Sequence, residues 1–320
     1  MTVRSPISGS SHVRCLRRYS STELGKRWQN HLGVDIAVEL QGHAIVELYE
    51  CLDTGLQFFY PLDVAGSEHL YRQLQKHEFY YMADKWEYDQ ALRLLQSKTT
   101  QNPGSLNILE VGCGRGYFVQ KLQRLGVKVV GLELNQSAVD TAQTHNLPVY
   151  AESLATWAQQ HPQEFTHICS FQVLEHLAAP KQFIHNCLAC LVPNGQLIFA
   201  VPNRESFTRH LEYDLLDMPP HHLTRWCART FAALEHYFPL QLERIFYEPL
   251  APYHVDWYVQ VQMERLWRLP DPHRSLGHKI LYKLVKPLYR NIPQIYRLIL
   301  NAGLRNYIRG HTMLVVLRKR

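Results

Sequence analysis

Residues 107–116 have the composition of one edge of a small-molecule pocket. They read Asn-Ile-Leu-Glu-Val-Gly-Cys-Gly-Arg-Gly, a short apolar strand that runs into a glycine-rich turn, with Glu110 just before the turn. Residues 117–125 then have helical spacing, so the segment predicts the strand, turn and helix of a nucleotide-type site. The glycines form G-x-G-x-G rather than the dinucleotide pattern G-x-G-x-x-G. A carboxylate beside the turn would repel a pyrophosphate and suits a cationic ligand.

A second acidic residue stands at the end of the next apolar run, 127–132. Glu133 follows Gly112 by 21 residues, the separation expected of a group that accepts hydrogen bonds from ribose hydroxyls. Three more apolar runs predict strands at 148–150, 165–170 and 195–201. Because these strands alternate with helical segments, we predict a parallel sheet with helices on both faces.

At these spacings the chain resembles class I S-adenosylmethionine-dependent methyltransferases over about residues 80–247. The resemblance lies in Glu110-Val-Gly-Cys-Gly-Arg-Gly116, Glu133, Val173-Leu-Glu-His176, Leu191-Val-Pro-Asn-Gly195 and Pro219-Pro-His-His-Leu-Thr-Arg-Trp226. It implies an α/β fold with a doubly wound, Rossmann-like, seven-stranded sheet, and S-adenosylmethionine as the cofactor. We assign the cofactor site to Glu110, Gly112, Gly114, Gly116, Glu133, Leu134, Glu152, Ser153 and Gln172, with Glu152 and Ser153 near the adenine.

Histidines in two segments are candidates for the chemistry of methyl transfer. If the acceptor is a hydroxyl, a base should remove its proton near the transition state. Such a base should lie at the carboxyl ends of the strands, where His176 and the pair His221-His222 are expected. We favour His222 as the base. We also expect that the rings of adjacent histidines cannot both point the same way, so that one of the pair is structural. It stays open that residues 219–226 are only a rigid loop ordered by Trp226. Arg225 could pair with an acidic substrate group, with Glu205 or with Asp217.

The first 66 residues are predicted to form a small β-rich cap. Cys15 and Cys51 resemble the remains of a zinc ribbon, but Arg18 and Thr54 occupy the partner positions. Two thiols cannot supply four tetrahedral ligands, so we predict no zinc here and no metal among the site residues. The methyltransferase domain would then span 67–247. Its first segment, 67–97, reads as one helix, whose aromatic residues would either cover the cofactor or pack in the core.

The carboxyl-terminal part is predicted to contain a helical insertion at 248–311 and a final strand at 312–320. Asp271 is the last acidic residue, and 11 lysines and arginines follow it, so the net charge of +6 comes from this end of the chain. Residues 276–290 are amphipathic, and we expect Pro287 and Pro293 to break the insertion into short helices. It could rest on an anionic membrane, bind an anionic substrate, or form an ordinary lid; a nucleic-acid partner is not favoured.

Composition agrees with a globular enzyme, with 46% hydrophobic and 19% charged residues. Seven cysteines, an odd number, predict free thiols in a reducing compartment. We therefore expect a cytoplasmic protein, with peripheral contact at the inner membrane face if the insertion binds lipid. The predicted activity is O-methylation of a small-molecule, sugar or lipid-linked acceptor. The alternatives are a non-catalytic module that binds the cofactor and a nicotinamide-dependent oxidoreductase.

Overall fold

The computed structural model describes residues 2–76, 82–99, 106–211, 213–266 and 276–320. They form two compact units. The first comprises Met1–Pro202, Leu215–Phe246 and Met313–Arg320, and the second comprises Asn203–Asp214 and Tyr247–Thr312. The predicted insertion, 248–311, therefore lies in the second unit, which also takes a short segment that follows the fifth predicted strand.

A seven-stranded sheet forms the centre of the first unit. Its strands are β4 (Asn107–Val111), β5 (Lys128–Leu132), β6 (Val149–Tyr150), β7 (Phe165–Phe171), β8 (Leu191–Pro202), β10 (Leu240–Pro249) and β11 (Arg309–Lys319). The strand order is β10-β11-β8-β7-β4-β5-β6, and β4 pairs in parallel with both β5 and β7. The chain moves outward from β4 to β6 and then returns to the other side of β4. This reversal is a topological switch point, and ligands bind at the carboxyl ends of the strands that flank it.

Five helices in the sequence around these strands cover the faces of the sheet. They are α3 (Trp86–Thr99), α4 (Tyr117–Arg124), α5 (Gln136–Thr144), α6 (Leu154–Gln160) and α7 (Pro180–Cys190). The central strands β4 and β7 are buried along almost their whole length, as expected of parallel strands with helices on both faces. One core cluster joins Tyr88, Phe118 and Phe171, whose ring centroids lie 4.9–5.4 Å apart. Tyr88 therefore packs in the core.

The predicted helix over 67–97 is wrong as a single element. The structure has two helices, α2 (Glu68–Leu74) and α3, and residues 82–85 between them are not helical. Ser67 caps α2 by accepting a hydrogen bond from the Leu70 amide, which fixes where α2 begins. The aromatic residues at 79–81 lie outside the described residues.

A second sheet contains the predicted cap. Its strands run in the order β1 (Val13–Ser20), β2 (Ile45–Cys51), β3 (Gln57–Tyr60) and β9 (Thr224–Arg225), and α1 (Ser21–Leu32) follows β1. Two residues of the predicted active-site loop thus complete the sheet of the cap. Trp28 of α1 is fully buried, and its Nε1 donates a 3.1 Å hydrogen bond to the carbonyl of Pro219. The cap therefore holds this loop in place.

The second unit is built mainly from α9 (Val255–Leu266) and α10 (Leu276–Asn301), while α8 (Ala228–Ala233) belongs to the first unit. Leu300, Tyr296 and Ile292 of α10 pack in a core cluster with residues of α9. The expectation that Pro287 and Pro293 break the insertion into short helices is wrong, because α10 is continuous through both prolines. The fixed φ of proline is compatible with a helix, and the lost hydrogen bond and the clash of the ring with the preceding turn do not end α10 at either position.

Candidate active site

The glycine turn after β4 adopts a backbone that favours glycine at three positions. Gly112, Gly114 and Gly116 have φ of 75°, 53° and 75°, in the left-handed region. At Gly112 a Cβ would also lie 2.3 Å from Cγ2 of Val173, so even alanine would not fit without movement. The Gly112 amide donates a 2.8 Å hydrogen bond to the carbonyl of Leu132, which ties the turn to the end of β5.

Gly116 has a different reason to be glycine. It is the N-cap residue of α4, and a Cβ there would lie 2.9 Å from Cδ1 of Leu147 and 3.3 Å from Cγ2 of Val149. The absence of a side chain thus lets α4 pack closely on its neighbours. Its assignment to the cofactor site stays a prediction.

Glu133 is fixed by the backbone around it. Its Oε2 accepts a 2.9 Å hydrogen bond from the Gly114 amide, and its Oε1 accepts 2.9 Å bonds from the amides of Leu134 and Asn135. The carboxylate therefore links the glycine turn to the end of β5. Carboxylate oxygens have about four acceptor positions in total, so the geometry leaves room for a hydroxyl donor.

Glu110 is a buried carboxyl group next to the turn. It is 1% exposed, and within the described residues its Oε2 has no hydrogen-bond partner. Burial raises the pKa of Glu110 to about 8, against the opposing effects of Lys85 and of a hydrogen bond to the backbone of Val119. A cationic group beside Glu110 would stabilise the carboxylate form. The unpartnered oxygen of Glu110 therefore fits a positively charged ligand, and the close packing around Gly112 fits a compact one.

The predicted adenine side is more open. Leu134 is 76% exposed at the end of β5, although it is a large apolar residue. The Ser153 hydroxyl caps α6 by accepting a 3.1 Å hydrogen bond from the Thr156 amide, and Glu152 precedes it. An exposed leucine at a strand end can pack against the flat face of a base. The roles of Leu134, Glu152 and Ser153 stay predictions.

Gln172 links the turn after β7 to α3. Its φ is 57°, and its Nε2 donates a 3.2 Å hydrogen bond to Oε1 of the buried Glu87. Val173, which crowds Gly112, is the next residue, and Glu175 and His176 follow. The end of β7 therefore connects the glycine turn to the predicted catalytic histidines.

The three predicted catalytic histidines form one cluster. The ring centroids of His221 and His222 are 4.5 Å apart with the planes 17° from parallel, and both rings lie within 4.7 Å of the ring of His176. The expectation that adjacent histidines must point apart is wrong. The amides of both His221 and His222 donate to the carbonyl of Met218, a tight turn that brings the two side chains to the same side.

Hydrogen bonds orient each imidazole. Nδ1 of His176 lies 2.6 Å from the carbonyl oxygen of His221, Nδ1 of His221 lies 2.8 Å from that of Leu216, and Nδ1 of His222 lies 3.0 Å from Oδ1 of Asp217. A carbonyl or carboxylate can only accept, so these contacts place the Nδ1 proton in His221 and an Nδ1–H donor on Asp217 in His222. His176 faces the carbonyls of both His221 and Gln172, and one neutral ring can donate to only one of them.

Burial keeps two of the three histidine rings neutral. It lowers the pKa of His176 to about 4, against hydrogen bonds to the carbonyls of His221 and Gln172 that raise it. It also lowers the pKa of His221 well below its usual value, with further lowering by His222 and His176. At neutral pH these two rings are therefore uncharged.

Two carboxylates flank the histidines. Asp217 contacts His222, and its Oδ2 also lies 2.9 Å from Nε of Arg225, so Arg225 pairs with Asp217 in this structure. Glu175 is 1% exposed, and its Oε1 lies 4.0 Å from Nε2 of His222. Burial raises the pKa of Glu175 to about 8, and Asp217 raises it further. The cluster thus combines neutral imidazoles with acidic groups on two sides.

Several residues of the site had no signal in the sequence. The Tyr71 ring packs edge-on against His176 at 5.8 Å between centroids, and Lys85 acts electrostatically on Glu110, Glu175 and His176. Tyr71 and Lys85 precede His176 by 105 and 91 residues, so only the folded chain brings them here. Asp217 was expected only as a partner of Arg225, and its contact with His222 was not predicted, although it precedes the histidine pair by only a few residues.

The second unit contains a separate cleft with a volume of about 240 Å³. Its lining includes Arg209, Arg265 and Arg309, together with His210 and Glu205. The guanidinium group of Arg309 also stacks on Tyr247, with 4.3 Å between its Cζ and the ring centroid. Three guanidinium groups make this cleft suited to an anion, in line with the anionic-substrate hypothesis for the insertion, which stays a prediction.

Comparisons with known proteins agree with this geometry. Residues 74–268 match a family model described as a methyltransferase domain. Ubiquinone biosynthesis O-methyltransferases from Klebsiella pneumoniae and Yersinia pestis are 30% identical over 103 and 105 residues, which cover 30% and 31% of this chain. The chain matches only 43% of the length of each of these relatives.

Solved structures with a similar arrangement include a SAM dependent methyltransferase from Archaeoglobus fulgidus, with a TM-score of 0.46 and 15% identity over 78% of this chain and 100% of that chain. A putative S-adenosylmethionine dependent methyltransferase from Listeria monocytogenes has a TM-score of 0.44 and 14% identity, over 72% of this chain and 97% of that chain. Since the family model matches more than half of its length, this chain belongs to the class I S-adenosylmethionine-dependent methyltransferases.

Proposed function

We propose that this methyltransferase methylates a hydroxyl oxygen of a small-molecule, sugar or lipid-linked acceptor. The observation that carries the proposal is the contact between Asp217 and His222 in the buried histidine cluster. The cluster includes His176, which follows closely after Val173, the residue in contact range of Gly112. A carboxylate-oriented imidazole is a group that removes a proton from a hydroxyl as it reacts.

The overall reaction requires loss of one proton from the acceptor. The cofactor supplies a methyl group on a positively charged sulfur, the acceptor oxygen forms the new bond to that carbon, and the sulfur keeps the electron pair of the bond that breaks. His222 would take the hydroxyl proton on Nε2, while Asp217 holds Nδ1–H and stabilises the imidazolium that forms. Arg225 would hold Asp217 in position.

The neutral state of the other two histidines supports the same chemistry. A positive charge on His176 or His221 would repel a sulfonium nearby, and the lowered pKa of each ring prevents that charge at neutral pH. Both rings can also form hydrogen bonds with the molecule that receives the methyl group. The cluster therefore provides a low-charge, largely buried surface on which displacement can occur with little water.

The relatives add weak support for oxygen as the acceptor atom. The Klebsiella pneumoniae and Yersinia pestis proteins are named as O-methyltransferases. The match covers less than a third of this chain, so it supports the atom and not the substrate.

The proposal is tested with matched acceptors. Purified full-length protein is given labelled cofactor and pairs of compounds in which one hydroxyl is replaced by an amine, a thiol or a methyl ether. We expect transfer to the hydroxyl compounds only, and loss of most turnover in His222→Gln with an unchanged dissociation constant for S-adenosylhomocysteine. Transfer to the amine member of a pair in preference to the hydroxyl member would contradict the proposal. His145→Ala, at the exposed end of α5, is the matched control and should keep full activity.

A further inference from the structure

We propose that His176, His221 and His222 together hold a divalent transition-metal ion of the zinc class. One ring nitrogen from each of the three histidines lies within 4.8 Å of the other two, and no ion is present in the structure. This differs from our prediction from the sequence that no metal is bound among the site residues. A three-dimensional cluster of ligands was not visible in the sequence, because His176 is 45 residues from the pair.

The hydrogen bonds around the cluster are those of metal-binding imidazoles. A histidine that binds a metal usually donates its other ring N–H to a carboxylate or a backbone carbonyl, which fixes the tautomer and the ring orientation. Here Nδ1 of His222 faces Asp217, and Nδ1 of His221 and His176 face the carbonyls of Leu216 and His221. With Nδ1 protonated in this way, each ring would offer the lone pair of its Nε2 to an ion.

Glu175 provides an independent second observation. Its carboxyl group is 1% exposed, and within the described residues neither of its oxygens has a hydrogen-bond partner. Its Oε1 lies 4.0 Å from Nε2 of His222, so it is directed at the cluster. An unpartnered buried carboxyl group costs free energy unless a cation or donor satisfies it. A divalent ion between the imidazoles would do so and would gain a negative charge nearby.

The ligand set selects the class of metal. Imidazole nitrogens bind zinc, cobalt, nickel, copper and iron, whereas magnesium and calcium prefer oxygen ligands. Three protein ligands leave the fourth tetrahedral position open, as in catalytic rather than structural zinc sites. Trp28 and the Met218 carbonyl hold the loop that carries His221 and His222. The ligands are therefore placed before the ion arrives.

The ion would deepen the proposed function of the same site, and this part of the inference rests on that function. An acceptor hydroxyl bound at the open position would lose its proton to solvent more easily, because a coordinated cation lowers the pKa of the oxygen it binds. In the metal-loaded protein the ion, rather than His222, would then activate the acceptor. The oxygen still forms the bond to the methyl carbon, and the proton is still released.

Cobalt is the probe for the experiment, because tetrahedral Co²⁺ has a characteristic visible spectrum. Full-length protein is treated with a chelator, dialysed and titrated with Co²⁺ and then with Zn²⁺ as a competitor. We expect one tightly bound Co²⁺ per chain, displaced by Zn²⁺. His176→Gln and His222→Gln should each weaken binding at least tenfold, and Asp217→Asn should weaken it about 10- to 100-fold. His145→Ala is the control and should bind Co²⁺ as the wild type does.

The outcomes separate the metal site from the proposed function. Absence of the Co²⁺ spectrum in the wild type, or an identical spectrum and affinity in His176→Gln and His222→Gln, would overturn the metal site. O-methylation by chelator-treated protein would then still support the proposed function. Retained Co²⁺ binding with no methylation of any hydroxyl acceptor would support the metal site and contradict the proposed function. Affinity for S-adenosylhomocysteine shows in each variant that the fold is intact.

A second inference comes independently from α10 in the second unit. Five large apolar side chains of this helix are exposed: Leu276 (75%), Ile280 (56%), Ile295 (54%), Leu298 (70%) and Ile299 (48%). At about 100° per residue they fall within an arc of about 140°. Ile292, Tyr296 and Leu300, which pack in the core of the unit, occupy the next arc. The helix therefore has an apolar face in addition to the face it buries.

Positive charge flanks this exposed face. Lys279 and Lys283 are exposed and lie on the third arc of the helix, with Arg297, whose Nε is 2.5 Å from Oδ1 of Asp256. The chain has no acidic residue after Asp271. An apolar face bordered by lysines is typical of helices that lie in the plane of an anionic membrane surface. None of the described helices is long and apolar enough to cross a bilayer.

We infer that this face of α10 rests on a membrane surface that contains acidic lipids. A second copy of the chain fits less well, because a two-fold contact through the same face would bring the two sets of lysines together. Acidic lipid headgroups complement them instead. The acceptor would then be a molecule that reaches the enzyme at the membrane surface.

Vesicle sedimentation tests this inference with two lipid compositions, pure phosphatidylcholine and a mixture with phosphatidylglycerol. We expect salt-sensitive binding to the acidic vesicles only, weakened at least about tenfold by Leu298→Asp and by the double change Lys279→Glu and Lys283→Glu. Val38→Asp, which alters a residue of the first unit that is 76% exposed, is the matched control. Unchanged binding of the α10 variants to acidic vesicles would overturn the inference. It would also be overturned if the protein had no affinity for lipid and formed a dimer in ultracentrifugation that Leu298→Asp dissociates.

Discussion

Replacement of Glu133 should separate its two roles in the cofactor site. In the structure its carboxylate accepts hydrogen bonds from the amides of Gly114, Leu134 and Asn135, each at 2.9 Å. We also predict that its remaining acceptor position, on Oε2, accepts one hydrogen bond from a ribose hydroxyl of the cofactor. Glu133→Ala removes both sets, and Glu133→Gln keeps one acceptor oxygen.

The expected loss follows from the hydrogen bonds. A hydrogen bond to a charged group contributes about 1.5–3 kcal/mol. One such bond to the ribose, discounted because Glu133 is partly open to water, gives about 1–2 kcal/mol for Glu133→Ala. That corresponds to a dissociation constant for S-adenosylhomocysteine about 5- to 30-fold larger. Glu133→Gln should lose about half of this free energy, or about 2- to 5-fold in affinity.

Isothermal titration calorimetry with S-adenosylhomocysteine measures the effect, and thermal unfolding of the free protein reports on the glycine turn. Asp140→Asn, on the exposed side of α5, is a matched control for the loss of one negative charge. If both Glu133 variants bind within threefold of the wild type, the assignment of Glu133 to the ribose is wrong. A lowered melting temperature with unchanged affinity would leave Glu133 as a purely structural brace.

Three further predictions concern the same first unit. Gly112→Ala should weaken S-adenosylhomocysteine binding at least about tenfold, because its Cβ would lie 2.3 Å from Val173 and φ is positive; wild-type affinity by calorimetry would contradict this. The pKa of Glu110 is raised to about 8 from 4.5, so the folded protein holds a proton that a cationic ligand must displace. The affinity for a cationic ligand should therefore rise between pH 6 and 8, by up to about tenfold per pH unit. Calorimetry in buffers of different ionisation enthalpy detects the proton that is released, and Glu110→Gln should flatten the dependence of affinity on pH. His222→Gln should lower kcat at least about 100-fold and Asp217→Asn about tenfold, with the cofactor affinity unchanged in both. If both variants have the kcat of the wild type in steady-state assays, neither residue takes part in the chemistry.

The raised pKa of Glu110 also makes the stability of the folded protein depend on pH. Because the pKa of Glu110 is higher in the folded protein than in the unfolded chain, the unfolded chain loses this proton first as the pH rises from 4.5. Glu110 therefore contributes less to stability as the pH rises through this range, and its unfavourable effect is complete above about pH 8.

The sequence was sufficient for the strands and for the glycine turn. An apolar run such as 127–132 is a local signal, and the strand Lys128–Leu132 was found there. The predicted glycine turn is also present, with positive φ at all three of its glycines. The prediction of one continuous helix over 67–97 was wrong because the periodicity of apolar residues does not show that the chain leaves the helix before residue 82. The predicted breaks at Pro287 and Pro293 failed for a related reason, since packing against the rest of the second unit can support a helix through a proline.

The candidate site could be predicted only in part. His176, His221 and His222 were identified individually from their positions after predicted strands. Their assembly into one cluster depends on the tight turn at Met218 and on the hydrogen bond from Trp28 to Pro219, which joins residues 191 positions apart. Sequence spacing carries no information about such contacts.

The identity of the atom that receives the methyl group tests the central claim most directly. The protein is incubated with cofactor labelled with ¹³C at the transferred methyl and with extracted small molecules and lipids, and the carbon chemical shift of the new methyl group is read by NMR. We expect a shift characteristic of a methyl ether or ester, which disappears in His222→Gln. A methyl group attached to nitrogen, sulfur or carbon, formed equally well by His222→Gln, would contradict the account.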